Sequence, residues 1–179
     1  DPAKYNGGDL RGLEQHLDYI HGLGATGVWL TPPVLNRWWD ERARHGGYHG
    51  YWAKDFSRID PHFGGLSDYQ QVSKQLHARG MVLVQDIVLN HTADYFRYEG
   101  EWDPTDPAKH FVREKDNSGD YGPTQSPFDR NDASKARDRR AAIYHWTPDV
   151  RDYRDPAQVH DWQMAGLDDL NSESPLVRR

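Results

Sequence analysis

The sequence predicts an α/β fold with parallel strands covered by helices, and three observations predict it. The first is Met81–Thr92, MVLVQDIVLNHT, a nearly continuous β-branched run holding one carboxylate, Asp86, and ending in Asn90, His91 and Thr92. Strands buried on both faces of a parallel sheet read this way. The second is a repeated order of helix, glycine and apolar strand, marked by His-x-x-Gly at His21–Gly24 and again at His77–Gly80. That is the αβ unit of a barrel or of a doubly wound sheet. The third is position. The polar triplet falls at the carboxyl end of its strand, where α/β barrels build active sites.

Each element has its own signal. Asp9 is an N-cap candidate for a helix over Leu10–Leu23, whose stripe Leu10, Leu13, Leu17 and Ile20 steps at helical spacing. Gly24 is placed to end it in the left-handed conformation. Thr26–Thr31 reads as a short strand stopped by Pro32-Pro33. Residues 36–58 read as a long loop rich in Trp, Tyr, His and Gly. Ser67, with Gln70 three residues on, predicts a capping box for a second helix lined by Tyr69, Val72 and Leu76 and ended by Gly80. From Ala93 to Ala165 no apolar period persists, which marks a functional loop or a small subdomain. Within it Ala133–Ile143 reads as a short, charged, solvated helix. Gly166–Asn171 reads as a turn, and Ser174-Pro175 as the start of a further helix.

Composition narrows the function classes. Seven Trp and 12% aromatic residues in a chain of mean hydropathy −0.99 fit aromatic-rich clefts on a water-soluble surface. The net charge of −6 argues against nucleic acid or an anionic membrane as partner. The absence of cysteine removes disulfides, thiol catalysis and Cys-ligated zinc. No transmembrane run and no signal-peptide pattern is present. The opening Asp1-Pro2-Ala3-Lys4 and the stop at Arg178-Arg179 read as a piece of something longer.

By themselves Asn90 and His91 have two readings, a satisfied hydrogen-bond network or a site. The loop Tyr48-His49-Gly50-Tyr51-Trp52 likewise reads as an aromatic plug or as a ligand wall, with ring faces for stacking and Tyr and His as polar handles. Both features fall at the same end of the sheet, and that favours the site.

Three separated segments resemble the α-amylase superfamily (glycoside hydrolase family 13), in the family's order. NGGDLRGLEQHLDYIHGLGATGVWLTP is similar to its first barrel helix and second strand. HGYWAKDFSRIDPHFGGLSDYQQVSKQLHARGMVLVQDIVLNHT is similar to its aromatic loop, second helix and third strand. GLDDLNSESPLVRR resembles the stretch that closes the inserted B domain and opens the third helix. The resemblance implies part of a (β/α)8 TIM barrel, with residues 1–92 in the barrel, 93–165 as an irregular B domain and 166–179 returning to the barrel.

The same resemblance implies roles. Tyr51 stacks beneath the sugar whose bond is cut, His49 and Trp52 shape that wall, and His91 hydrogen-bonds the sugar hydroxyls. Asp86 is a structural carboxylate paired with an arginine of a later strand. Asn90 and Asp169 match positions of a structural calcium, two oxygen ligands of the six to eight that ion takes. Asp168 stands where relatives often carry Pro or Ala.

The implied activity is that of a retaining α-glucan hydrolase or transglycosylase acting on starch or maltooligosaccharides. The family's nucleophile and acid/base carboxylates are expected beyond Arg179, so no catalytic residue is assigned within this chain and it is expected to be inactive alone. The partners are the α-glucan and the remainder of its own barrel. The alternative is a non-catalytic carbohydrate-binding or interaction domain related to the family; a third reading is an unrelated αβ protein with aromatic loops. Absent cysteines and an expected calcium fit an exported bacterial enzyme, periplasmic or extracellular, and a cytoplasmic maltodextrin enzyme shares both features.

Overall fold

In the computed structural model, which describes residues 1–178, the first half is the expected αβ repeat. Helix α1 (Leu10–Gln15) begins where Asp9 Oδ1 accepts the Gly12 N–H at 2.7 Å. Helix α2 (Leu17–Gly22) follows after a break at His16. The predicted single helix Leu10–Leu23 is therefore two short ones. At the break His16 donates its N–H to Leu13 rather than four residues back, and its Nδ1 sits 2.8 Å from the Gly12 carbonyl. The stripe survives, because Leu10 and Leu17 are buried and Leu13 and Ile20 pack beside them. Gly24 adopts the left-handed conformation that closes the helix (φ +85°).

Strand β1 (Gly27–Leu30) leads into the segment read as a long loop, which instead contains four strands. These are β2 (Val34–Asn36), β3 (Trp39–Asp40), β4 (His45–Gly46) and β5 (Ala53–Ile59). β2 pairs antiparallel with β5, and β3 with β4. Their polar composition hid them from a hydrophobic-pattern reading. Helix α3 (Leu66–Ala78) starts one residue before Ser67. The expected Ser67/Gln70 box is replaced by Asp68, whose Oδ2 accepts the Gly65 N–H at 2.8 Å while Oδ1 accepts from Arg11 Nε of α1 at 2.9 Å. A carboxylate that also ties two helices together wins over a hydroxyl cap.

Strand β6 (Val82–Gln85) pairs parallel with β1, Gly27 opposite Val82 through Leu30 opposite Gln85. The core behind this pair is Leu10, Leu17, Val72, Leu76 and Met81. The other side is open. Trp29 is 71% exposed and Leu89 70%, with Val82, Val84 and Ile87 exposed beside them. The reading of a strand buried on both faces is thus corrected, since helices cover one face and nothing described covers the other. Among the described residues no closed barrel forms.

The second half is irregular. Strands β7 (Phe96–Tyr98) and β8 (Phe111–Arg113) form an antiparallel pair, followed by helices α4 (Ala136–Ala141) and α5 (Pro156–Asp161). Its core is aromatic: Phe96, Ile143, Tyr144, Trp146 and Leu170, with Phe56 of β5 packed against it. The stretch predicted as a solvated helix is shorter, and its Ala133, Asp138 and Ile143 are buried. Ser174-Pro175 makes a turn rather than a helix, closed by the Val177 N–H on the Ser174 carbonyl at 3.0 Å. Arg179, to which that helix was expected to run, lies outside the described residues. No described helix is long and apolar enough to cross a membrane.

Candidate functional site

The site is assembled at the carboxyl end of β6 by two segments distant in sequence. The returning stretch 166–171 runs antiparallel along residues 90–92, just past the end of β6. The Thr92 N–H donates to the Asp168 carbonyl at 3.0 Å and the Leu170 N–H to the Asn90 carbonyl at 2.9 Å, which sets Asp169 opposite His91. The aromatic loop is anchored from both sides. The Arg37 N–H donates to the Trp52 carbonyl, the Trp52 N–H to Asn36 Oδ1, and the Ala93 N–H to the Ala53 carbonyl, at 2.8, 2.8 and 3.0 Å. Gly50 has to be glycine. Its φ is +87°, and a Cβ there would collide with the Pro32 carbonyl.

Tyr51 is held by its own polar ends. Its hydroxyl donates to Asp86 Oδ2 at 2.7 Å, and its N–H donates to His49 Nδ1 at 3.0 Å. The bond to Asp86 raises the Tyr51 pKa, with desolvation adding to it. His49 lies nearly parallel to the Tyr51 ring (5.7 Å, 22°) and edge-on to Trp52 (4.8 Å, 88°). Burial, helped by the nearby His45, lowers the His49 pKa, which keeps Nδ1 an acceptor. His91 Nε2 is 3.2 Å from the Tyr51 carbonyl, so that nitrogen carries the proton and donates. Burial lowers the His91 pKa more than the Tyr51 carbonyl and Asp169 raise it. Its Nδ1, the unprotonated nitrogen, faces the Asn90 amide Nδ2 at 3.5 Å as an acceptor. All four expected wall residues are therefore brought together. The arginine expected to pair with Asp86 belongs to a later strand of the barrel; within the described residues Asp86 accepts from Tyr51.

On the far side, Asn90 Nδ2 donates to Asp169 Oδ1 at 3.2 Å, and Asp169 Oδ2 is 2.6 Å from His145 Nδ1. His145 Nε2 reaches Glu173 Oε2 at 3.2 Å. Burial pulls the His145 pKa down, but Asp169, Asp161 and Glu173 together push it above the ordinary imidazole value. Next door, Asp168 is fully buried, its carboxylate accepting the Tyr95 and Phe96 N–H groups at 3.2–3.3 Å. Loss of solvent drives its pKa well up, against those two bonds.

A family model described as "Alpha amylase, catalytic domain" matches residues 1–179, the entire chain. The chain belongs to the α-amylase family. It is 34% identical to an α-amylase of Streptomyces lividans over 99% of its own length, which is 22% of that protein. It is 46% identical to a cyclomaltodextrin glucanotransferase of Klebsiella oxytoca over 50% of the chain and 14% of that protein. Among solved structures it superposes on the acarbose complex of the Geobacillus thermoleovorans α-amylase with a TM-score of 0.67 and 32% identity, covering 99% of this chain and 30% of that one. It also superposes on CldA, a cyclomaltodextrin glucanotransferase, with a TM-score of 0.75 and 26% identity, covering 98% and 33%. The chain thus spans a third or less of these relatives.

Within this α-amylase-family chain, Asn90 and Asp169 suit calcium in kind and fall short in number. They offer an amide oxygen, reached by rotating the Asn90 side chain half a turn, and one carboxylate. Among the described residues no group of three or more His, Asp or Glu side chains converges on a metal position.

Two residues that sequence reasoning passed over complete the site. His145 clamps Asp169 and Glu173; its signal was an imidazole inside the aromatic run Tyr144–Trp146. Arg37 is 2% exposed and ties the aromatic loop to the second half of the chain. It pairs with Asp40 at 3.0 Å and Glu114 at 3.8 Å, donates to the Asp94 carbonyl and lies over the Tyr95 ring. Its only sequence signal was a lone cation before Trp38-Trp39.

Proposed function

We propose that this chain forms the substrate wall of a retaining α-glucan hydrolase or transglycosylase that cleaves α-glucosidic bonds of starch or maltooligosaccharides. The observation that carries the reading is the convergence of Tyr51, His49, Trp52 and His91 at one strand end of an α-amylase-family chain. Tyr51 presents a ring face fixed by Asp86, and a sugar's apolar face stacks on it. His91, neutral and oriented by the Tyr51 carbonyl, accepts from a sugar hydroxyl through Nδ1. Asp86 sets the ring rather than reacting. Residues 1–92 are read as barrel, with β1 and β6 as its second and third strands; 93–165 as the B domain; and 166–179 as the return. The open face of β1 and β6 fits the remainder of that barrel. The nucleophile and acid/base are assigned to that remainder, so this chain alone releases no sugar.

Calcium is proposed at Asn90 and Asp169, where it would hold the strand end to the returning segment; the other ligands come from water or from the rest of the barrel. An exported bacterial location is consistent with such an ion and with the lack of cysteine.

The test is acarbose, the ligand of the Geobacillus structure. Titration of the chain is expected to show saturable binding, weakened about tenfold by Tyr51→Ala, as loss of a stacking contact implies. Equal binding by the variant, or reducing-sugar release from starch by the 179-residue chain, would overturn the corresponding half of the proposal.

A further inference from the structure

The loop 116–120 folds around a single positive charge, and that charge belongs to another strand. Lys54 sits in β5, three residues past Tyr51, and is 5% exposed. Its ammonium donates to Asp116 Oδ2 at 2.5 Å, Ser118 Oγ at 3.0 Å and Asp120 Oδ2 at 2.7 Å. The three oxygens come from alternate residues of Asp116-Asn117-Ser118-Gly119-Asp120. Loops that wrap a calcium ion begin in the same way, with oxygen ligands from their first, third and fifth positions.

The rest of the loop serves this arrangement. Asp116 Oδ1 accepts the Ser118 and Asp120 N–H groups at 2.9 and 3.0 Å, and the Asp116 N–H donates to the Asp120 carbonyl at 2.8 Å. Gly119 makes the turn at φ +89°, its N–H donating to the Asp116 carbonyl at 3.0 Å. The backbone thus occupies Oδ1 and leaves Oδ2 for the ammonium, with the Tyr95 hydroxyl donating to it at 3.3 Å. Loss of solvent pushes the Asp116 pKa up, but Lys54 and the loop N–H groups outweigh it and hold the carboxyl below its ordinary value. The Asp116 side chain is fully buried and that of Asp120 is 49% exposed, so the cage is closed on one side and open on the other. The open side meets a cavity of about 350 Å³ bordered by Lys54, Asn117, Ser118 and Asp120, with room for water. Two carboxylates face one ammonium, a charge balance that a divalent ion would complete.

We propose that loop 116–120 is a calcium-type site in which the Lys54 ammonium takes the place of the ion. The strand that carries the wall is thereby joined to the second half of the chain without a metal at this point. With the ammonium removed, the loop takes a divalent cation through Asp116, Ser118 and Asp120, and cavity water supplies the remaining oxygen ligands. This site is separate from the calcium proposed at Asn90 and Asp169 and makes no use of the sugar wall.

The test is thermal unfolding of the chain and of Lys54→Ala, each in EDTA and in about 10 mM calcium chloride, above the millimolar Kd of the weaker calcium modules. In EDTA the variant is expected to melt about 10 °C lower, the loss of a buried cation between carboxylates. Calcium is expected to raise the variant by about 3–6 °C more than it raises the wild-type chain. The difference cancels any ion at Asn90 and Asp169, which both proteins share. The extra gain is expected to vanish when Asp120→Asn is added to Lys54→Ala. Lys54→Gln is the milder variant: it keeps most of the stem, presents an amide oxygen to the ion, and is expected to show a similar calcium-dependent gain. Calcium gains in both variants no larger than in the wild-type chain overturn the site and leave Lys54 an ordinary buried ion pair. If Lys54→Ala does not fold in either buffer, Lys54→Gln decides alone.

Discussion

The two halves of this molecule are held together by different physics. The helix–strand half rests on aliphatic burial: Leu17 of α2 and Val72 and Leu76, one turn apart on α3, are fully buried. The irregular half has an aromatic-rich core and a large complement of buried polar groups, among them Asp116, Asn131, Gln163 and Asp168. Lys54 of β5, itself buried, binds Asp116 at 2.5 Å and Asp120 at 2.7 Å, and Arg37 serves Asp40 and Glu114 in the same way. Burying so many charges is tolerable only where each finds a partner. An aliphatic core tolerates partial loss, whereas a polar one is satisfied as a set or fails as one. The wall sits on the seam, with its aromatic loop anchored by the second kind of interaction and its strand end supported by the first.

The largest expected effect tests the polar half. Arg37→Ala leaves the buried Asp40 without its cation, while the half-buried Glu114 keeps Arg42 and Arg97, and the loss is expected at about 3–5 kcal/mol. Urea unfolding would measure it, and acarbose binding should fall with it because the aromatic loop loses its side-chain tie to the Asp94 carbonyl and the Tyr95 ring. A loss below about 1 kcal/mol, the size of an exposed ion pair, would mean that the Arg42 and Ala43 N–H groups on Asp40 satisfy it without the cation. In the aliphatic half, Leu76→Ala is expected to cost about 2–5 kcal/mol by leaving a cavity, with the same measurement as check. Its acarbose affinity at native temperature should be nearly unchanged, which separates the two halves.

Smaller effects sharpen the contrast. Asp9→Ala removes the side-chain acceptor of the Gly12 N–H, and about 1 kcal/mol is expected. Loss of amide-exchange protection should be confined to α1. The pH dependence of the wall gives the smallest signal. His49 titrates below the ordinary imidazole value because burial disfavours its charged form. A lowered native pKa means that the unfolded chain binds the proton more readily. Its contribution is therefore present above about pH 6.5 and is lost as pH falls from there through the lowered native value. Ring-proton NMR should show His49 with a midpoint under about 6.5, and a midpoint above it would contradict the buried, neutral ring.

The contrast also explains which features are legible in the sequence. The stripe Leu10, Leu13, Leu17 and Ile20, the Asp9 cap and the glycine ends at Gly24 and Gly80 are local. They require only that neighbours along the helix point the same way. The wall residues Tyr51, His49, Trp52 and His91 were legible through family resemblance, since spacing alone left a plug and a site equally open. The strands at 34–59 were not legible, because polar residues buried by pairing carry no hydrophobic period. Asp168 shows the limit most plainly. Two adjacent aspartates fall in what read as one short turn, yet one is buried under two backbone N–H groups and the other faces His145.

By itself the sequence determined the αβ repeat, the parallel pairing of its two strands and the placement of polar residues at a strand end. These follow from local propensity and periodic burial, which are properties of consecutive residues. Only the tertiary structure decided that Asp86 serves Tyr51, that His145 clamps Asp169 and that Arg37 locks the aromatic loop. Those choices join residues dozens of positions apart, and they depend on which charges remain once the chain has folded and water has been driven out.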